Sequence, residues 1–185
     1  MKRALILALM LAACREEVAQ STDPVRLTPE AVGFFCQMNL LEHDGPKAQV
    51  HLDGLPGAPL FFSQVRDAIA YQRLPEQSHA ILKIWVNDMG AASATWAEPG
   101  DANWIAAENA HYVVGSTREG GMGAPELVPF ADLDAAAAFA ARYGGTVMGL
   151  TAIPDSAVIA PTGGGAADDA DFQQRLKVLS QRVEG

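Results

Sequence analysis

Thiols are scarce in this sequence, whose 185 residues include two cysteines, Cys14 and Cys36. Two sulfhydryls build neither a zinc knuckle nor a disulfide framework, so a metal site here has to combine sparse thiolate with other donors. Cations are also in deficit: 13 Lys and Arg stand against 22 Asp and Glu, for a formal charge of −9. A chain so acidic is repelled by phosphate, which argues against nucleic acid as a partner. Aromatics reach only 7%, and no apolar run is long enough to span a bilayer. With 49% apolar and 19% charged residues, the chain still has the composition of a folded protein of one domain or two small ones.

The N-terminus reads as a targeting segment. Lys2 and Arg3 precede the apolar run Ala4 to Ala13, and Leu11-Ala12-Ala13-Cys14 has the form of a bacterial lipobox. Residues 1–13 are then a lipoprotein signal peptide and Cys14 is the lipidated first residue, a membrane anchor facing the periplasm. Arg15 stands where an inner-membrane retention signal has Asp, which favours the outer membrane. Cleavage leaves Cys36 as the single free thiol, so no disulfide forms within the monomer. An oxidised Cys36 pairs only with that of a second copy, which places a homodimer among the expected states.

Residues 14–29 are polar and read as a lipidated tether, and 161–185 as a flexible acidic tail whose Phe172, Leu176 and Leu179 suit a short helix. Between them the same order of elements occurs twice. Over residues 30–100 the pattern predicts strands at Phe34–Leu41, Gln49–Leu52 and Ala80–Val86, with a helix at Ser63–Leu74 capped by Ser63. Over residues 101–160 it predicts strands at Ala110–Ser116, Glu126–Pro129 and Thr146–Leu150. The intervening helix, Leu133–Tyr143, is capped by Asp132 or Asp134 and stopped by Gly144-Gly145. The expectation is an α+β protein of two small β-β-α-β lobes related by internal duplication.

Cys36-Gln37-Met38 carries the clearest chemistry. On a strand, residues i and i+2 share a face, so thiolate and thioether converge with Gln37 turned away. Such soft donors select Cu(I) over harder divalent ions. Met122 is a further candidate, because Gly120-Gly121-Met122-Gly123 leaves it in a loop with nothing to cover. His43, His111 and Met89 also qualify as third ligands, although His43 beside Asp44-Gly45 reads equally as an ordinary turn residue. Two other function classes compete. A lone cysteine beside His43 or Glu42 suits a nucleophilic enzyme, but such chemistry calls for further cysteines that are absent. Trp85, Trp96 and Trp104 suit a structural adaptor that docks a membrane complex to its client.

The sequence resembles the NosL family, the accessory lipoproteins of nitrous oxide reductase maturation. The resemblance is carried by the lipobox, by Phe35-Cys36-Gln37-Met38, Ile84-Trp85-Val86-Asn87-Asp88 and Ala110 to Ser116, and by Gly121-Met122-Gly123 with Glu126 to Phe130. Together these cover most of residues 30–150. It implies a non-enzymatic copper carrier that delivers Cu(I) to nitrous oxide reductase and works with a membrane ABC-type complex. The family's thiolate and thioether donors fall on Cys36 and Met38, and Met122 is taken as the third ligand.

Overall fold

The computed structural model describes residues 19–75, 77, 79–159, 174 and 177. The expected signal peptide, Cys14 and the tail with Phe172, Leu176 and Leu179 lie outside the described residues, apart from Gln174 and Lys177, which are helical.

Alternation in Ala48-Gln49-Val50-His51-Leu52 produces strand β1 (Ala48–Leu52). Ala48, Val50 and Leu52 belong to the apolar core, whereas Gln49 and His51 fall on the opposite face, yet all five are buried. The polar face is covered by the N-terminal segment. Val25 N–H donates to Gln49 Oε1 at 2.8 Å, and Gln49 Nε2 donates back to Val25 O at 3.0 Å. Gln20 Nε2 donates to Leu52 O at 2.8 Å, Trp85 Nε1 to Thr22 O at 2.7 Å, and Leu27 is buried. Residues 20–27, expected within a free tether, are thus a strap on the first sheet, because its backbone supplies the partners that the polar face of β1 needs once water is excluded.

Strand β1 pairs antiparallel with β2 (Leu60–Phe62) and β3 (Ile81–Asn87), and β4 (Trp104–Ala106) extends β3, giving the order β2-β1-β3-β4. Helix α1 (Val65–Arg73) follows β2 and buries Val65, Ala68 and Ile69, three and four residues apart, against that sheet. Its N-cap is Gln64 with no side-chain capping bond, so the cap expected from Ser63 does not form. The Ser63 hydroxyl is turned toward Cys36 instead.

The second sheet, ordered β6-β5-β7, contains β5 (His111–Val114), β6 (Val128–Phe130) and β7 (Thr146–Gly149). Helix α2 (Leu133–Tyr143) is bounded as its sequence predicts. Asp132 Oδ1 accepts from Ala135 N–H at 2.9 Å, and Gly144, at φ +76°, closes the helix in a conformation that L side chains rarely adopt. Both sheets thus have their first strand in the centre and their helix between the second and third strands, the α+β architecture expected. One core cluster spans both sheets, with Tyr112 and Leu127 packed with Val50, Phe62, Ile69 and Ile84, and the short helix α3 (Asp155–Val158) closes it with Val158, while Val113, Val128, Phe130 and Ala136 form a second cluster under α2. Burying side chains of this size contributes about 1.5–3 kcal/mol each.

Candidate metal centre

The expected strand Phe34–Leu41 does not form. Gly33 N–H donates to Met38 O at 2.9 Å, Gln37 N–H donates to Gly33 O at 2.8 Å, and Gln37 adopts a left-handed φ of +55°. The segment therefore closes into a loop, joined by a single bridge between Val32 and Asn39, and continues in a 3-10 turn at Leu40–Glu42. Its apolar run imitates a buried strand, but Phe34 and Phe35 pack their ring edges on Tyr71 and Phe62, at 5.6 Å and 5.3 Å between centroids, without joining a sheet. Cys36 and Met38 share this closed loop rather than one face of a strand.

Cys36 is half-buried, with Sγ 3.6 Å from Ser63 Oγ. A Cβ on Gly33 would stand 2.4 Å from that sulfur, so the missing side chain is the space the thiol occupies. Met38 is 41% exposed and Met122 44%, so both thioethers are open to an incoming ligand or partner.

Met122 lies at the tip of a second loop, in which Glu119 bridges Pro125 and Gly120 N–H donates to Ala124 O at 2.8 Å. This loop lies flat against the first sheet's end of the molecule. A Cβ on Gly120 would come within 2.3 Å of Gln64 Nε2, and one on Gly121 within 2.4 Å of His43 Cβ. Gln64 Nε2 donates to Ala124 O at 3.3 Å. The start of α1 therefore holds the Cys36 loop through Ser63 and the Met122 loop through Gln64, which brings the two sulfur-bearing loops to one pole.

His43, five residues past Met38, packs against the Met122 loop at Gly121. Its Nδ1 is 3.2 Å from Gly121 O, and since a carbonyl only accepts, Nδ1 is the donor of that contact. Nε2 is buried and without a partner, and the residue lines a cavity of about 350 Å³ together with Leu27, Leu41, Lys47 and residues 97–101. An imidazole oriented through its other N–H by a backbone carbonyl is the usual presentation of a metal ligand. His43 is the residue that ends the Leu40–Glu42 turn, and its ring is in addition held by the Gly121 carbonyl. His111 and Met89 do not reach this pole: His111 opens β5 at the end away from the Met122 loop, and Met89 packs with Val113, Val128 and Phe130.

Two buried ionisable groups support this pole. Lys47 Nζ donates to the carbonyls of His43 and Gly45 at 2.6 Å each and of Asp44 at 3.2 Å, which fixes the turn carrying His43. Burial lowers the Lys47 pKa to about 8, against the attraction of Glu126, Asp44 and Cys36. Glu126 Oε1 accepts from Arg66 and Leu127 N–H at 3.0 Å and 2.8 Å, while Oε2 has no partner. Its burial pushes the carboxyl up to about 8, so it is largely protonated at neutral pH. Sequence reasoning missed both residues. The only signals were an acid set between Pro125 and the apolar run Leu127 to Phe130, and a lysine opening the β1 alternation. Among the described residues, no three or more His, Cys, Asp or Glu side chains are grouped to hold a metal.

The three tryptophans proposed for an adaptor surface are partly buried. Trp85 donates to the strap, Trp96 stacks under Arg118 at 4.2 Å, and Trp104 packs with Leu27 and Leu40.

Fold and site together define a two-sheet α+β protein that gathers an accessible thiol and two thioether loops at one pole. A sequence model of the NosL family matches residues 24–158, and the chain belongs to that family. It is 60% identical over 179 residues to a copper-binding lipoprotein NosL of Achromobacter cycloclastes, covering 95% of this chain and 92% of the relative. It is 34% identical over 148 residues to the copper-binding lipoprotein NosL of Stutzerimonas stutzeri, covering 78% and 74%. The crystal structure of the copper chaperone NosL from Shewanella denitrificans superposes with a TM-score of 0.67 at 27% identity, covering 74% of this chain and 99% of that one.

Proposed function

We propose that this chain is a lipid-anchored Cu(I) chaperone with Cys36, Met38 and Met122 as metal ligands and His43 as the nitrogen donor held in reserve beside the Met122 loop. The observation that carries the reading is the meeting of both sulfur-bearing loops on the first residues before α1, in a chain closely related to copper-binding lipoproteins. Loading replaces the Cys36 S–H bond with S–Cu(I) and releases the proton to solvent. The thioethers bind without losing a proton, and the nearby Lys47 ammonium offsets the thiolate charge. One thiolate with neutral donors holds Cu(I) away from water, yet yields it by ligand exchange to a partner offering more or better-placed ligands.

In this reading no turnover is involved. The acylated Cys14 holds the protein on the periplasmic face of a membrane, by preference the outer one. The receiving protein is nitrous oxide reductase, acting with a membrane ABC-type maturation complex. Anaerobic titration with Cu(I) against a competing chelator tests the site. Cys36→Ser should abolish tight binding and Met38→Ala should weaken it at least tenfold. Affinity unchanged by both substitutions would rule the site out.

A further inference from the structure

Five of the large apolar side chains exposed on this molecule fall within residues 32 to 41, namely Val32, Phe34, Phe35, Met38 and Leu41. They flank Cys36 along the chain, and Val32 and Phe34 line a groove of about 430 Å³ together with Val25, Ala31, Leu60 and Phe61. Two occupants suit such a collar on a lipid-anchored protein: the bilayer itself, or another protein. The strap decides between them.

Cys36 lies at the Ala48 end of the β1–β2 ladder, because its sulfur meets Ser63, the residue after Phe62, and Phe62 pairs with Ala48. The strap runs the other way. Val25 is bonded to Gln49, and Gln20 to Leu52 O and, through Oε1, to Gly54 N–H. The chain therefore leaves the domain toward Cys14 at the opposite end of β1, about 13 Å farther along the strand at roughly 3.3 Å per residue. The five residues from Cys14 to Val18 span at most about 17 Å, whereas a tether free as far as Pro29 would span roughly 50 Å.

From this we infer that the strap holds the Asp53–Gly54 end toward the membrane and presents the apolar collar around Cys36 away from it, as the docking surface for a protein partner. The inference rests on the lipid-anchored reading above. The partner's contact surface is apolar, and it brings its own copper ligands to the loop from the aqueous side. Transfer by ligand exchange requires donor and acceptor ligands to share the metal, so the partner must cover the Cys36 loop itself. An apolar collar excludes water from the exchanging ion during that contact.

The test uses the full lipidated protein on vesicles containing a headgroup-attached quencher. A maleimide dye on Cys36, the single thiol left after acylation, is compared with the same dye on Asp53→Cys in a Cys36→Ala background. Quenching should be several-fold stronger at position 53. Equal or stronger quenching at Cys36, in protein that floats with the vesicles, overturns the inference and assigns the collar to lipid. Failure to float overturns the anchored reading and this inference with it. Phe35→Glu with Leu41→Glu provides the second measurement. Flotation should be unchanged while Cu(I) transfer to apo nitrous oxide reductase, with the maturation complex present, falls at least tenfold. Unaltered transfer overturns the collar as a protein docking surface.

Discussion

Replacing Glu126 by Gln should change how stability depends on pH, and the size and sign of that change follow from its environment. The folded carboxyl titrates near 8 against an ordinary value of 4.5, with burial as the leading cause and the Arg66 and Leu127 N–H groups opposing it. Between those two values the unfolded chain has released the proton and the folded chain retains it. The folded state then binds more protons, so stability falls as pH rises from about 4.5 to about 8. Each pH unit in that window is worth about 1.4 kcal/mol, and the full loss has a ceiling of about 5 kcal/mol. Lys47 works in the opposite direction at higher pH. Its folded value near 8 lies below 10.5, so the unfolded chain binds the extra proton and stability rises with pH across that interval. The contributions of these two groups together are least favourable near pH 8. Gln at 126 keeps the acceptor oxygen for the two backbone donors but cannot ionise. Urea unfolding of both proteins at pH 5, 6, 7 and 8 should show unchanged m-values and a difference that grows in favour of the variant by up to about 1.4 kcal/mol per pH unit. Parallel stability curves would refute the claim that Glu126 is folded as the neutral acid.

Three further outcomes follow from single contacts. Gly33→Ala puts a carbon 2.4 Å from the Cys36 sulfur, and since Gly33 has no unusual φ, its effect should fall on the site, with Cu(I) affinity in chelator competition reduced at least about tenfold, about 1.4 kcal/mol. Unchanged affinity would show that the thiol position is not critical. Asp132→Ala removes the α2 cap and should lower the chemical denaturation midpoint by an amount equivalent to about 1 kcal/mol, without altering copper affinity. Tyr112→Phe deletes the buried hydroxyl that donates to Ala107 O at 2.8 Å and should cost about 0.5–1.5 kcal/mol in the same assay, because the carbonyl loses that bond but keeps the Ala110 N–H at 3.4 Å.

Local signals are strongest where a residue's conformation depends on its near neighbours. Helix α2 is legible to its last residue because its cap and its stop, Asp132 and Gly144, are both adjacent in sequence. Strand β1 is legible from the alternation of Ala48, Val50 and Leu52. The Cys36 segment misleads for the same reason: Phe34 to Leu41 has the apolarity of a buried strand, and nothing local announces that Gln37 turns left-handed or that Gly33 clears room for a sulfur.

The sequence by itself determined the α+β class, the donor types and the scarcity of thiol, since these depend on composition, periodicity and short spacings. It singled out Cys36, Met38 and Met122 by residue type. Only the tertiary structure decided which of the loops carrying possible donors lie at the same pole, because that depends on contacts between residues far apart in the chain. Ser63 and Gln64 gather the two loops, the Gly121 carbonyl orients the His43 ring, and burial shifts the titration of Lys47 and Glu126. The strap is of the same kind. Its polar residues read as a tether until the backbone of a sheet, far away in sequence, provides hydrogen bonds that water would otherwise make.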